Sequence, residues 1–259
     1  MEERLRVHDI LELGVERLAA VLEGARFERR DGYTFMAFPT FPIRDLNGVW
    51  VNTDAAAAHL NDALAETEKL GTPFTVMVRE GRTPAVEEAA RELGFTATLR
   101  IPGMAALPDE LRVPSAADVQ IIRVETADGL AQAHSIAATG FGIPPELVAS
   151  VYALEVVEEL DGLEYYLARV DGRDVSTAAG FTVDGGVAIF SVATPAEYRG
   201  RGYGAAITAH AAQDGFAAGA ELAALQSSSI GESVYLRLGF REVETYVAYT
   251  RPREVSGTS

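Results

Sequence analysis

The second half of the chain is a run of short apolar patterns with helical or alternating spacing. Helical spacing over "GLAQAHSIAATGFG" and "PELVASVYALEVV" predicts two helices. Strands are predicted over "EYYLARV", "VSTAAGFTV" and "VAIFSVAT", and Asp184-Gly185-Gly186 predicts a hairpin turn between the last two. A helix of about four turns is expected from Gly202 to a stop at Gly219, followed by a buried strand, "AELAALQ".

The chain then continues into a short helix, "ESVYLRL", and a final strand, "EVETYVAYTR". Ser229 and Glu232 stand at capping-box spacing before this helix, which predicts that the serine side chain begins it. Gly239 is expected to end it, because glycine favours the position after a helix.

The first half shows a similar order of elements. We predict a helix over "AAAAHLNDALAETEKLG", a buried strand over "TPFTVMV", a helix over "TPAVEEAARELGF" with Pro84 at its first position, and a strand over "TATLRIPGM". Helix, strand, helix, Gly-Phe and strand therefore occur twice, once ending at Gly94-Phe95 and once at Gly239-Phe240. This repetition indicates an internal duplication whose period is too long for a solenoid.

Between the two halves lies "LPDELRVPSAAD", residues 107–118, which is rich in proline and small polar residues and reads as a linker. We therefore predict two domains, residues 1–112 and 118–259. The chain has 259 residues, a length that suits two domains. At 48% hydrophobic it can bury a core without disulfides or metals.

Composition excludes several kinds of chemistry. The absence of cysteine excludes a thiol nucleophile, a disulfide framework and thiolate zinc sites, and the four histidines show no metal-ligand spacing, so no metal is expected. The sequence contains no apolar run of about 18 residues, so no membrane span is predicted. We expect a cytoplasmic protein. The net charge of −16 argues against a nucleic-acid partner. It is compatible with cationic small-molecule ligands, but a surface tuned for solubility is the favoured explanation.

The stretch "SVATPAEYRGRGYGAA" is a glycine-dense loop before a helix, and it allows three interpretations. Gly200, Gly202 and Ala205 satisfy the dinucleotide pattern G-x-G-x-x-A, and Glu221 follows about twenty residues on. Five residues separate the strand from the first glycine, however, which disfavours that interpretation. A P-loop is excluded because no Gly-Lys-Ser/Thr follows.

The third interpretation is a diphosphate cradle. Backbone amides at the start of a helix point outward, and the helix dipole adds partial positive charge there. Glycines let these amides approach a ligand closely, and Arg199 and Arg201 can add charge-assisted hydrogen bonds.

The loop Arg199-Gly200-Arg201-Gly202-Tyr203-Gly204 resembles the R/Q-x-x-G-x-G/A signature of the GNAT superfamily of acetyl-CoA-dependent N-acetyltransferases. The downstream segment "LQSSSIGESVYLRLGF" resembles that family's next strand and its tyrosine-bearing helix, at the right spacing. The resemblance covers residues from about 118 to 252. The first half, with "FPIRDLNGVWVN", "VEEAARELGF" and "IPGM", resembles the degenerate amino-terminal copy of tandem members.

The resemblance implies an α+β fold of two GNAT-like lobes, each a mostly antiparallel sheet flanked by helices. It places acetyl-CoA in the carboxyl-terminal lobe, between two parallel strands that splay apart, "VAIFSVAT" and "AELAALQS". Tyr235 matches the general acid of the family, and a backbone amide near Val192 is the expected oxyanion donor. The residues implied to contact acetyl-CoA are Val192, Ala193, Thr194, Arg199, Gly200, Arg201, Gly202, Tyr203, Gly204, Ala205 and Ser228.

The implied reaction is direct transfer of an acetyl group to a primary amine. We expect that amine to belong to a small molecule, with a protein amino group as the alternative. Candidates for the base are Glu158, Glu159 and Asp161, and a water-mediated route is equally open. Trp50 and residues 38–42 either line an acceptor pocket or belong to the core. The alternative function is a non-catalytic acyl-CoA sensor, and both a monomer and a homodimer are compatible with the sequence.

Overall fold

The structure is a computed structural model that describes residues 2–40, 43–114, 118–144 and 154–251. These residues form seven α-helices and eleven β-strands. The helices are α1 Glu2–Val21, α2 Leu60–Glu68, α3 Pro84–Glu92, α4 Ala127–Phe141, α5 Leu154–Glu159, α6 Tyr203–Ala217 and α7 Glu232–Arg237. The strands are β1 Arg26–Arg30, β2 Tyr33–Ala37, β3 Gly48–Val51, β4 Thr75–Arg79, β5 Thr96–Ala106, β6 Gln120–Arg123, β7 Leu163–Val170, β8 Arg173–Val183, β9 Gly186–Ala193, β10 Leu222–Gln226 and β11 Arg241–Thr250.

The contacts divide the chain into two compact units. Unit 1 comprises Met1–Leu22 and Pro102–Val243, and unit 2 comprises Glu23–Ile101 and Glu244–Ser259. These bounds differ from the sequence ranges 1–112 and 118–259, because α1 packs against β8, β9 and β10, and because β11 pairs with β4. The two sequence ranges stay a prediction about domain organisation.

In unit 1 the strand order is β5-β10-β9-β8-β7-β6, and only β9 and β10 run parallel. The predicted hairpin between β8 and β9 is confirmed. Asp184 and Gly185 have φ of 44° and 75°, as a two-residue turn with left-handed central positions requires. Helix α6 lies close on this sheet, since a Cβ added at Gly215 would fall 2.5 Å from Val187.

The opposite face of the unit 1 sheet is covered by α1 and α4. Small residues again permit close approach. A Cβ added at Gly140 of α4 would fall 2.7 Å from that of Ala193, and one at Gly14 of α1 would fall 3.5 Å from the Phe190 ring. The sheet of unit 1 is therefore a layer between two layers of helices, with α6 and α7 on one side and α1 and α4 on the other.

Unit 2 has the strand order β1-β2-β3-β4-β11, in which β3 and β4 are parallel and the other pairs are antiparallel. The first part of β5 adjoins β11, where the Thr98 hydroxyl donates to the Ala248 carbonyl. The predicted helix over "AAAAHLNDALAETEKLG" is divided into a 3-10 turn, Asp54–Ala58, and α2. Pro84 begins α3 as predicted.

The repeated order of elements is confirmed as α2-β4-α3-β5 in the first half and α6-β10-α7-β11 in the second. That the first half is a degenerate copy stays a prediction. The predicted capping box before α7 is wrong. Its N-cap is Gly231, which has no side chain to cap with, and the Ser228 Oγ accepts the Gly231 amide at 3.2 Å instead.

Part of the sequence prediction lies outside the described residues. The helix predicted over "PELVASVYALEVV" is described only from Leu154 onward, as α5, and residues 115–117 of the predicted linker are not described. Within the described ranges, no helix is both long and apolar enough to cross a membrane.

Candidate functional site

The parallel strands β9 and β10 part within unit 1. Their ladder runs from Gly186 opposite Leu222 to Ile189 opposite Leu225, and in the described part of the chain it goes no further. Beyond that point β9 continues beside β8, while β10 continues beside β5, where the Ser227 amide donates to the Pro102 carbonyl at 2.8 Å. Because each strand keeps only its outer neighbour, their facing edges offer unpaired backbone groups.

A β-bulge lies on β9 at the same place. Two steps along β8, from Thr177 to Ala179, correspond to three steps along β9, from Ala193 to Phe190. The extra residue is accommodated at Ser191, whose φ is 53°, a left-handed value that is uncommon for serine. Such bulges turn backbone groups away from the regular ladder. Val192 and Ala193, which the sequence implied in cofactor binding, therefore stand just past a bulge on the open edge of β9.

The glycine loop follows β9 and leads into α6. Gly200 and Gly202 have φ of 77° and 84°, and a Cβ at either would meet nothing within 4 Å. Glycine is therefore favoured by backbone conformation and not by lack of space. The first α6 hydrogen bond runs from the Ala206 amide to the Gly202 carbonyl, so the amides of residues 203–205 lack helical partners. The loop has the form of an anion cradle.

Arg199 links this loop by hydrogen bonds to the end of β9 and to α4. Its Nε donates to the Thr194 carbonyl at 2.9 Å, and its Nη2 donates to the Gly140 carbonyl at the end of α4 at 3.2 Å. Arg201 is exposed and has one long bond, 3.3 Å from Nη2 to the Glu197 carbonyl. The two arginines that the sequence assigned to a diphosphate thus differ, because Arg199 connects β9, the loop and α4 whereas Arg201 projects from the loop.

We expect Arg199→Met to lower the melting temperature by about 2–4 °C and Arg201→Met to leave it unchanged. The first substitution removes two charge-assisted hydrogen bonds at an exposed site, worth about 1 kcal/mol together. Thermal denaturation of the two variants beside the wild type measures the difference. Equal melting temperatures for the two variants would show that the Arg199 contacts do not hold the loop.

Tyr235 lies on α7 and is 7% exposed, packed in the core between the sheet and α6 with its ring 6.0 Å from that of Phe240. Burial raises its pKa to about 12. Within the described residues its hydroxyl has no hydrogen-bond partner. The hydroxyl oxygen is nevertheless not fully enclosed. Tyr235 is therefore a protonated phenol at neutral pH whose hydroxyl can donate to a ligand.

Two residues at the end of β10 complete the site. Ser228 is exposed, and its Oγ accepts the Gly231 amide, while its hydroxyl proton is still available to donate to a cofactor. Gln226 is the last residue of β10, and its Nε2 is fully enclosed with no hydrogen-bond partner among the residues that the structure describes. Sequence reasoning missed Gln226. Its only signal there was a polar residue ending an apolar strand.

The candidate bases do not gather at the parted strands. Glu158 and Glu159 are exposed at the end of α5. Asp161 lines a cavity of about 540 Å³ beside Val187, near the hairpin end of β9. Five residues of extended strand separate Val187 from Val192, which corresponds to about 16 Å. The structure therefore supplies no observation that favours Asp161 as the base.

The polar side chains that line this cavity are paired with one another. Arg123 forms an ion pair with Glu164, and the Tyr166 hydroxyl donates to the Asp214 carboxylate. Burial is the main cause that raises the pKa of both Glu164 and Tyr166. His210, which has no assigned role, packs its ring edge-on against Tyr166 at 5.1 Å. These pairings make the cavity a hydrogen-bonded structural feature of unit 1.

In unit 2, Trp50 is buried with its ring 6.3 Å from that of Tyr246, and Phe38 is buried as well. Both are core residues of that unit, which agrees with the second of the two roles considered for them. Residues 41 and 42 of the same predicted segment lie outside the described residues.

One segment of the chain matches a known protein family. Residues 161–242 match the family model of the acetyltransferase (GNAT) domain. The matched GNAT segment contains the parted strands, the bulge, the glycine loop and Tyr235, all in unit 1. No curated protein matches the chain.

Solved structures show the same fold over nearly the whole chain. A GCN5-related N-acetyltransferase from Kribbella flavida has a TM-score of 0.68 at 23% identity, covering 95% of this chain and 96% of its own. A functionally unknown conserved protein from Staphylococcus epidermidis has a TM-score of 0.64 at 15% identity, with 89% and 95% covered. A tandem GNAT protein from the clavulanic acid biosynthesis pathway has a TM-score of 0.57 at 13% identity, with 96% and 97% covered. The predicted mixed α+β, GNAT-like fold is therefore confirmed.

Proposed function

We propose that this protein is an acetyl-CoA-dependent N-acetyltransferase that acts on a primary amine of a small molecule. The observation that carries the proposal is the parting of β9 and β10 directly before a glycine loop whose helix-start amides are unpaired. A thioester carrier with a diphosphate needs both features, since an extended arm can pair with strand edges and phosphates bind helix amides. The GNAT domain match over the same residues supports this assignment.

The residues present fit acetyl-CoA as a substrate. The pantetheine arm would lie along the open edge of Val192, Ala193 and Thr194, and the Ser228 hydroxyl would donate to it. The diphosphate would bind the amides of the loop, residues 199–205. The acetyl carbonyl would accept from the amide of Val192, the residue that follows the bulge at Ser191.

Tyr235 supplies the proton that the leaving thiolate requires. The neutral amine attacks the thioester carbon, the carbon–sulfur bond breaks, and the phenol proton passes to sulfur. The residues of β9 include no Asp or Glu. We therefore propose that the ammonium proton leaves through water, and that the exposed carboxylates of α5 have no direct part in the reaction.

The acceptor is proposed from charge. A net charge of −16 attracts cationic amines and repels phosphate backbones, so a small cationic amine is proposed as partner and a nucleic acid is not. The similarity in fold to a tandem GNAT protein over most of both chains supports a tandem organisation. We place the acetyl-CoA site in unit 1, because the GNAT domain match and the glycine loop lie there. The proposed assembly is a monomer or a homodimer in the cytoplasm.

We expect acetyl-CoA at 100 times its Kd to raise the melting temperature by about 5–10 °C, and NAD to have no effect. Ligand binding at that excess stabilises the folded state by about 2.7 kcal/mol. Thiol release from acetyl-CoA with a panel of amines then tests turnover. If acetyl-CoA binds but no amine in the panel is acetylated, the acyl-CoA sensor is favoured. If NAD stabilises the protein and acetyl-CoA does not, the dinucleotide interpretation is favoured.

A further inference from the structure

Gln226 lies where β10 separates from β9, and in the described part of the chain its side-chain nitrogen is enclosed without a hydrogen-bond partner. A buried amide nitrogen in that state has lost its hydrogen bonds to water without replacing them, which destabilises the fold. Buried polar groups in native proteins are nearly always paired, so an exception calls for a physical explanation. Its place at the parted strands points to a partner that arrives with a ligand.

Unit 2 provides an internal comparison. Its parallel pair β3–β4 begins in the same register as β9–β10, so Arg79, the fifth residue of β4, matches Gln226, the fifth residue of β10. The Arg79 Nε donates to Glu244 at 2.7 Å, and the Tyr246 hydroxyl donates to the other oxygen of that carboxylate at 2.7 Å. The polar residue at this position is thus paired within the protein in unit 2 and unpaired in unit 1.

The side chain of Gln226 belongs to the face of the sheet opposite Tyr235. Ala223 and Leu225 pack in the same core cluster as Tyr235, against α6 and α7. Successive strand residues point to opposite faces, so Gln226 points to the face that α1 and α4 cover. In the proposed function, Tyr235 and the glycine loop act on the acyl donor from the α6 side, so the Gln226 side would be the one that the acceptor occupies.

We propose that the Gln226 carboxamide binds an amide carbonyl oxygen of the acceptor, close to the amine that is acetylated. This inference rests on the proposed function. The unpaired Nε2 is a donor, so it requires an oxygen or nitrogen acceptor. The carboxamide is uncharged and cannot neutralise a carboxylate, which favours a neutral carbonyl. The terminal torsion of glutamine is broad, so a half-turn of the carboxamide brings Nε2 to the position of Oε1, which is not among the enclosed atoms.

A matched pair of amines tests the proposal. Alaninamide and 2-amino-3-methylbutane have similar shapes, but only the first carries the carbonyl. We expect Gln226→Leu to reduce the ratio of their kcat/KM values about 3- to 10-fold, through a higher KM for alaninamide. Differences in amine basicity cancel because each protein is measured with both amines. Gln120→Leu, the same change on exposed β6, serves as the control and should keep the wild-type ratio.

The remaining outcomes separate the two proposals. Gln226→Leu should melt at or above the wild-type temperature, because it removes an unpaired buried polar group. An unchanged ratio in an active Gln226→Leu variant would overturn the inference alone, and so would a rise in KM for acetyl-CoA in place of alaninamide. Absence of turnover by the wild type with every amine would overturn the proposed function, and the inference with it.

Discussion

Replacing Tyr235 with phenylalanine should lower kcat about 100- to 1,000-fold while acetyl-CoA still binds. The substitution removes only the hydroxyl, and with it the proton that the departing thiolate would receive, and general-acid catalysis typically contributes effects of this size. Because the hydroxyl has no partner within the described ranges, its loss should leave the melting temperature unchanged. Steady-state thiol release gives kcat, and thermal shift with acetyl-CoA confirms that binding remains.

Tyr198→Phe is a matched control, since Tyr198 is partly buried against the same core cluster and lies in the 3-10 turn just before the loop. We expect its kcat to change less than about twofold. Wild-type activity in Tyr235→Phe would remove Tyr235 from the mechanism. A loss of acetyl-CoA stabilisation by that variant would instead assign the hydroxyl to binding.

The pKa of Tyr235 also predicts the alkaline side of the pH profile. An acid catalyst works while protonated, and burial raises this pKa from the usual value near 10 to about 12. The wild-type kcat should therefore stay level from pH 8 to about pH 10.5. A decline centred near pH 10 would indicate a tyrosine with an ordinary, solvated environment.

Much of the fold could be predicted because local signals and burial agree. Pro84 begins a helix, Asp184-Gly185 forms a hairpin turn, and Gly219 follows the end of α6, each for a reason contained in a few residues. The predicted capping box is wrong because the side chain of Ser228, one residue before Ser229, accepts a hydrogen bond from the Gly231 amide. Spacing alone did not distinguish between neighbouring serines.

The parts of the site that escaped prediction depend on contacts between distant segments. The bulge at Ser191 arises from its pairing with β8, and no local residue pattern marks it. The carbonyl that Arg199 binds on Gly140 is 59 positions away in the sequence. The Gln226 side chain lacks a partner among the described residues because β10 separates from β9 at this point. Long-range pairing, which sequence periodicity does not record, determines all three.

The charge of the anion cradle can be tested at Gly202, which precedes α6 with φ of 84°. We expect Gly202→Asp to raise the Kd for acetyl-CoA about 100-fold. Aspartate tolerates a left-handed backbone better than most residues, and a carboxylate at a helix start is favourable in the free protein. The same carboxylate repels a diphosphate bound at the helix amides, and a like charge within about 4 Å costs several kcal/mol near a protein surface.

Gly202→Asn is the matched control because asparagine has the same shape and left-handed tolerance without the charge. It should weaken acetyl-CoA binding much less than aspartate does. Both variants should melt at about the same temperature, below the wild type, because each places a side chain in a left-handed backbone. Isothermal titration of the two variants gives the Kd ratio, and raising the salt concentration should narrow it because exposed charges are screened. If asparagine and aspartate weaken acetyl-CoA binding equally, the size of the side chain and not its negative charge causes the loss. The diphosphate would then have to bind away from the α6 amides, and the proposed position of acetyl-CoA along β9 would have to change with it.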